Sequence, residues 1–149
     1  MLEKIDAFME AKRDAKSTFI LNARTDAMMA YTDAPKRATQ EAIQRGNAFA
    51  EKGADLIFIF GKNSEKTIQV LVKEIQAPIS VTCYSDHLTI SELQDLGVGR
   101  TSLGTDSVRV AARAIQRFAR VLRDQGTQAS IDDFLPTPNL ANILLQRQR

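Results

Sequence analysis

The chain has 149 residues, and 20 Lys+Arg against 18 Asp+Glu leave a formal net charge of +2. With 44% apolar and 26% charged residues it has the composition of a folded globular domain rather than of a disordered chain. A single cysteine (Cys83) and a single histidine (His87) exclude an internal disulfide and a Cys/His zinc cluster, and the near-balanced charge gives no reason to expect nucleic acid or a membrane surface as partner.

No apolar run reaches the roughly 18–20 residues of a membrane span. The first residues, Met-Leu-Glu-Lys-Ile-Asp, lack the basic-then-apolar order of a secretory leader, so a cytoplasmic location is expected. Residues 2–16 read as a helix. The first of four short apolar runs follows at 18–22 and leads into Leu21-Asn-Ala-Arg-Thr-Asp-Ala27. A strand ending in Arg-Thr-Asp sets three polar groups at the C-terminal edge of a parallel sheet, where such sheets present ligands. Arg24 is the informative member. Its planar, permanently charged fork can hold a carboxylate or phosphate through two parallel bonds, and it can equally form a structural ion pair with Asp26. Spacing leaves both open. Met28, Met29 and Tyr31 fall in the long connection from Asp26 to about Lys36, and connections of that length are more often functional than structural.

Residues 36–52 place Ala42, Ile43, Gly46 and Phe49 on one helix face, with Gly53 at the stop. The run 54–60 is almost continuously apolar, as a strand covered on both faces should be. Gly61-Lys-Asn63 lacks the spacing of a phosphate loop. In 64–75, Ile68, Leu71, Val72 and Ile75 follow helical spacing. The run 78–83 is the third strand. It ends at Cys83, read as a packed small residue, before His87, read as an ordinary loop histidine rather than a general acid or base. Thr89-Ile-Ser-Glu92 has the form of a capping box and Gly97 closes that short helix. The fourth run is 100–103. Gly104-Thr-Asp-Ser107 then either cradles an anion or caps the next helix through Asp106 or Ser107, the latter favoured. In the helix 106–123, Ala111, Ile115, Phe118 and Leu122 form an apolar stripe opposite Arg109, Arg113, Arg117, Arg120 and Arg123, read as a solvated face. After Gly126 the pattern weakens, with a short helix expected near 138–146.

Alternating strands and helices predict parallel βα units in a domain over 1–126, with a tail at 127–149. Asn22-Ala-Arg-Thr-Asp-Ala27, Glu51-Lys-Gly-Ala-Asp-Leu-Ile-Phe58, Glu92-Leu-Gln-Asp-Leu-Gly97 and Arg100-Thr-Ser-Leu-Gly104 occur in order at intervals that resemble the isocitrate lyase/phosphoenolpyruvate mutase superfamily, above all its methylisocitrate lyase and phosphonomutase-like branches. That resemblance implies the C-terminal half of a (β/α)8 barrel, since a whole barrel takes about 250 residues. It also implies Mg²⁺ and a small carboxylate or 2-oxo acid substrate, with C–C or P–C bonds made or broken through a metal-stabilised enolate. Arg24 matches the arginine that holds the substrate carboxylate or phosphonate, and Asn22, Asp26, Thr82 and Gly104 complete the expected substrate-binding set. The chain begins at the helix before the fifth strand of the family. The metal carboxylates and the loop with the catalytic cysteine belong to the other half, so no residue here is expected to be catalytic or to bind metal, and Cys83 is not that cysteine. Phe60 stands where the lyase branch has a glutamate, and Thr82 where it has an asparagine. The chain is expected to be a truncated family member, or a remnant that binds only small anions or a partner chain. An open half barrel is expected to self-associate or pair with a complementary half.

Overall fold

The structure, a computed structural model, describes residues 1–84, 86 and 88–127. His87 and the expected helix at 138–146 lie outside the described residues. The described residues fall into two compact units, Met1–Gly104 and a second beginning at Thr105. The first unit runs α1 (Leu2–Asp14), β1 (Asn22–Thr25), α2 (Ala27–Ala30), α3 (Pro35–Glu51), β2 (Leu56–Ile59), α4 (Glu65–Glu74), β3 (Ile79–Thr82), α5 (Ile90–Asp95) and β4 (Arg100–Ser102). Its four strands pair in parallel in the order β1-β2-β3-β4.

Strand parity decides which side chain meets the helices. Ala23, Thr25, Ile57, Ile59, Ile79 and Val81 are buried on one face, in a core shared with Ala42, Phe49, Ile68, Leu71, Ile75 and Leu93. The helices approach closely because Gly46 lets α3 in: a Cβ there would lie 3.0 Å from Ile75 Cδ1 and 3.4 Å from Ile57 Cγ2. Gly53, at φ +94°, turns the chain out of α3 and into β2, a conformation L side chains rarely adopt. The capping box at α5 forms as the spacing predicts, Thr89 Oγ1 accepting from Glu92 N–H and the Glu92 carboxylate accepting from Thr89 N–H. The opposite parity sets Arg24, Phe58, Ser80 and Arg100 in one row across the sheet, since each is registered with the next.

The first strand is displaced from its expected span. It begins at Asn22, and Phe19 and Ile20 are 75% and 72% exposed. Pairing rather than hydrophobicity sets this start. The Leu21 carbonyl accepts from Asp55 N–H and Leu56 N–H, so the ladder with β2 can open only at Asn22. The connection after Asp26 contains α2, which no periodicity marked. Its turn is closed by the Asp26 carbonyl accepting from Met29 and Ala30 N–H. In the second unit α6 (Asp106–Gln125) contains no buried residue, and Ile115 of its apolar stripe is exposed. Neither Asp106 nor Ser107 caps α6. Its N-cap is Thr105, without a side-chain cap bond, and Asp106 instead pairs with Arg109 at 3.0 Å.

Asp55 ties the first unit together at the base of β1 and β2. One carboxylate oxygen accepts from Lys12 Nζ at 2.8 Å and from Leu21 N–H at 2.7 Å. The Lys12 bond first, then the Leu21 N–H, holds its carboxyl below the ordinary value of 3.8. A lowered folded-state pKa means stability that is present above the unfolded value and lost as pH falls through the folded one. Asp55→Asn should therefore destabilise the protein at neutral pH, and the difference should vanish in strong acid. Urea unfolding across that range checks it. A pH-independent difference would contradict the linkage.

Candidate functional site

Arg24 is the third residue of β1, and Asp26 follows the strand. Arg24 Nε donates to Asp26 Oδ1 at 2.6 Å, with the two side chains 46% and 57% exposed. The guanidinium carbon lies 3.7 Å from the centroid of Phe60 and 6.0 Å from that of Phe58. These two rings meet edge to face, 5.9 Å apart at 77°. Among the described residues the Nη groups of Arg24 have no hydrogen-bond partner. The ion pair and the open fork thus coexist: Asp26 takes Nε, and the terminal edge stays free.

The expected trio of polar groups is a pair. Thr25 is 2% exposed on the helix side, where its Oγ1 accepts from Ala27 N–H. Parity explains this, because Thr25 points opposite to Arg24. Asn22 shares the Arg24 face of β1, and its Oδ1 is buried without a partner among the described residues. On β3, Thr82 Oγ1 is also buried and unpartnered among the described residues. Gly104 lies over Thr82, since a Cβ there would sit 3.9 Å from Thr82 Cγ2. The Gly104 N–H donates to Ser102 Oγ at 3.2 Å. The candidates therefore form two groups, Asn22, Arg24 and Asp26 in and just after β1 and Thr82/Gly104 on the β3–β4 side, with Phe58 of β2 and Phe60 just beyond it between them.

Sequence reasoning left Phe58 and Arg100 of this face unremarked, and noted Phe60 only for the glutamate that the resemblance places there. Phe58 and Phe60 flank Arg24, and Arg100 donates from Nη1 to Ser80 Oγ at 3.1 Å. Counting by twos along each strand would have listed them, but only cross-strand register shows which of them meet. Arg24, Thr25 and Asp26 also border a cavity of about 320 Å³ with Met1, Arg45 and Phe49. Arg45 is paired with Glu41. Cys83 is half-buried, its Sγ 4.0 Å from the Leu88 carbonyl. Lys62 of the Gly-Lys-Asn loop pairs with Asp86 at 2.7 Å. Among the described residues no three His, Cys, Asp or Glu side chains are grouped to hold a metal ion. No helix of the described residues is long and apolar enough to cross a membrane.

A family model described as phosphoenolpyruvate phosphomutase matches residues 1–123. The 2-methylisocitrate lyase of Halalkalibacterium halodurans (strain C-125) is 29% identical over 136 residues, covering 88% of this chain and 43% of that protein. Among solved structures, oxaloacetate acetylhydrolase in complex with the inhibitor 3,3-difluorooxalacetate superposes with a TM-score of 0.78 at 25% identity, over 97% of this chain and 48% of that one. Phosphonopyruvate hydrolase in complex with oxalate and Mg²⁺ superposes with a TM-score of 0.71 at 25% identity, over 100% of this chain and 53% of that one. The chain spans about half the length of the relatives it matches, and its parallel βα units correspond to half of a (β/α)8 barrel.

Proposed function

The chain belongs to the phosphoenolpyruvate phosphomutase family, and on that premise we propose that the open face of its sheet is the carboxylate-holding part of a site that makes or breaks a C–C or P–C bond beside a carboxylate. The observation that carries this reading is the Arg24 fork, with Nε engaged and its Nη edge unpartnered among the described residues. A carboxylate or phosphonate meeting that edge forms two parallel charge-assisted bonds. Asn22 and Thr82 lie on the same face, their Oδ1 and Oγ1 buried and unpartnered among the described residues. In such a site the chain's residues bind and orient the acid.

The family's enolate chemistry draws on Mg²⁺. The described residues do not fit that role, since no group of three metal-binding side chains exists among them and Asp26 is spent on Arg24. A second reading keeps the same grip and leaves out the turnover, the chain binding a small acid without converting it. Titration of oxaloacetate into the chain, alongside a cleavage assay with Mg²⁺ added, separates the two. Binding without turnover supports holding alone, turnover by the pure chain supports the full activity, and no binding at millimolar oxaloacetate overturns both.

The outer strands of the described sheet, β1 and β4, each offer one edge for pairing. We expect these edges and the open sheet face to be covered by a second copy or a complementary half barrel. Light scattering at micromolar concentration should report a mass above one chain. A clean monomer with cooperative unfolding would count against it.

A further inference from the structure

We propose that Phe60 is a positioning residue for the Arg24 anion grip: its ring holds the guanidinium plane in place while leaving the Nη donors free. This rests on the reading of Arg24 above. An arginine at a strand end swings about several torsions, and an unrestrained fork must lose that freedom when a ligand arrives. Two contacts remove it in advance. The Phe60 ring, 3.7 Å from Cζ, holds the guanidinium against its face, and Phe58 braces that ring edge-on. The Nε bond to Asp26, 2.6 Å long, anchors one edge of the group.

The choice of an aromatic partner matters because of what it leaves untouched. A carboxylate beside an arginine consumes N–H donors, the same donors a ligand needs. A ring face attracts the cation through its quadrupole and takes none of the in-plane N–H groups. Phe60 therefore holds the group without competing for it.

The test uses the 149-residue chain, with oxaloacetate as probe and calorimetry for affinity. NMR of the Arg24 Nε–H group reads the stacking directly, because a ring this close displaces its resonance. Phe60→Leu should lose the displacement and weaken oxaloacetate binding about three- to tenfold, the range a cation–π contact supports. Phe60→Tyr keeps a ring and should retain both. Phe60→Glu should suppress binding more than Phe60→Leu, by occupying the Nη edge. If Phe60→Leu binds like the wild type while Arg24→Ala does not bind, the positioning role fails and the Arg24 reading stands. If Arg24→Ala binds like the wild type, or if the wild type itself does not bind, the Arg24 reading fails. The wild-type spectrum guards against a variant that does not fold: an undisplaced Arg24 Nε–H resonance overturns the proposal without any substitution.

Discussion

Arg24→Ala should reduce oxaloacetate binding by one to two orders of magnitude and leave the melting temperature close to that of the wild type. A hydrogen bond to a charged group contributes about 1.5–3 kcal/mol, or roughly 10- to 150-fold in affinity. Arg24→Lys should fall between, because the charge persists while the two-point geometry is lost. Stability should barely respond. Both members of the Arg24–Asp26 pair are around half exposed, and such pairs contribute about 0–1 kcal/mol. Were the arginine structural, the pattern would invert, with a lower melting temperature and unchanged binding. Calorimetric titration and melting curves on the three proteins decide it.

Leu71→Ala should be the most damaging single substitution named here. Leu71 is 0% exposed, on the α4 face that also buries Ile68 and is followed by Ile75. Emptying such a position costs about 2–5 kcal/mol, the transfer term plus that of the cavity left behind. For a unit the size of Met1–Gly104 that corresponds to a fall of roughly 10 °C or more in melting temperature. Val70→Ala, one residue away but 43% exposed, should change stability by no more than about 0.5 kcal/mol. Equal effects at the two positions would mean that α4 does not pack as described.

Much of the architecture was legible because it depends on local pattern. Apolar runs alternating with helical periodicity specify parallel βα units, and Thr89 with Glu92 announces the start of α5 through chemistry confined to four residues. What escaped depends on pairing. Phe19 and Ile20 look like strand and are exposed, because only the ladder with Leu56–Ile59 determines where β1 begins. Spacing alone groups Thr25 with Arg24 and Asp26, because a two-residue period is silent about its origin and a shift by one exchanges the faces. The place of Arg24 near a strand end could be read from pattern. The ring that holds it could not, since Phe60 lies thirty-six positions along the chain and meets Arg24 only through the parallel register of β1 and β2.

Arg24 belongs to an outer strand of the described sheet, and that placement has a thermodynamic corollary. A chain that hydrogen-bonds to the outer edge of β1 stiffens the backbone from which the guanidinium projects. An anion seated on the guanidinium stiffens the same four residues from the side-chain end. Two events that order one segment are linked, and linkage is reciprocal: whatever factor assembly adds to the affinity for the acid, the acid adds to assembly. If the chain both pairs through this edge and holds an acid, as proposed above, each event would shift the other, with β1 as the shared lever.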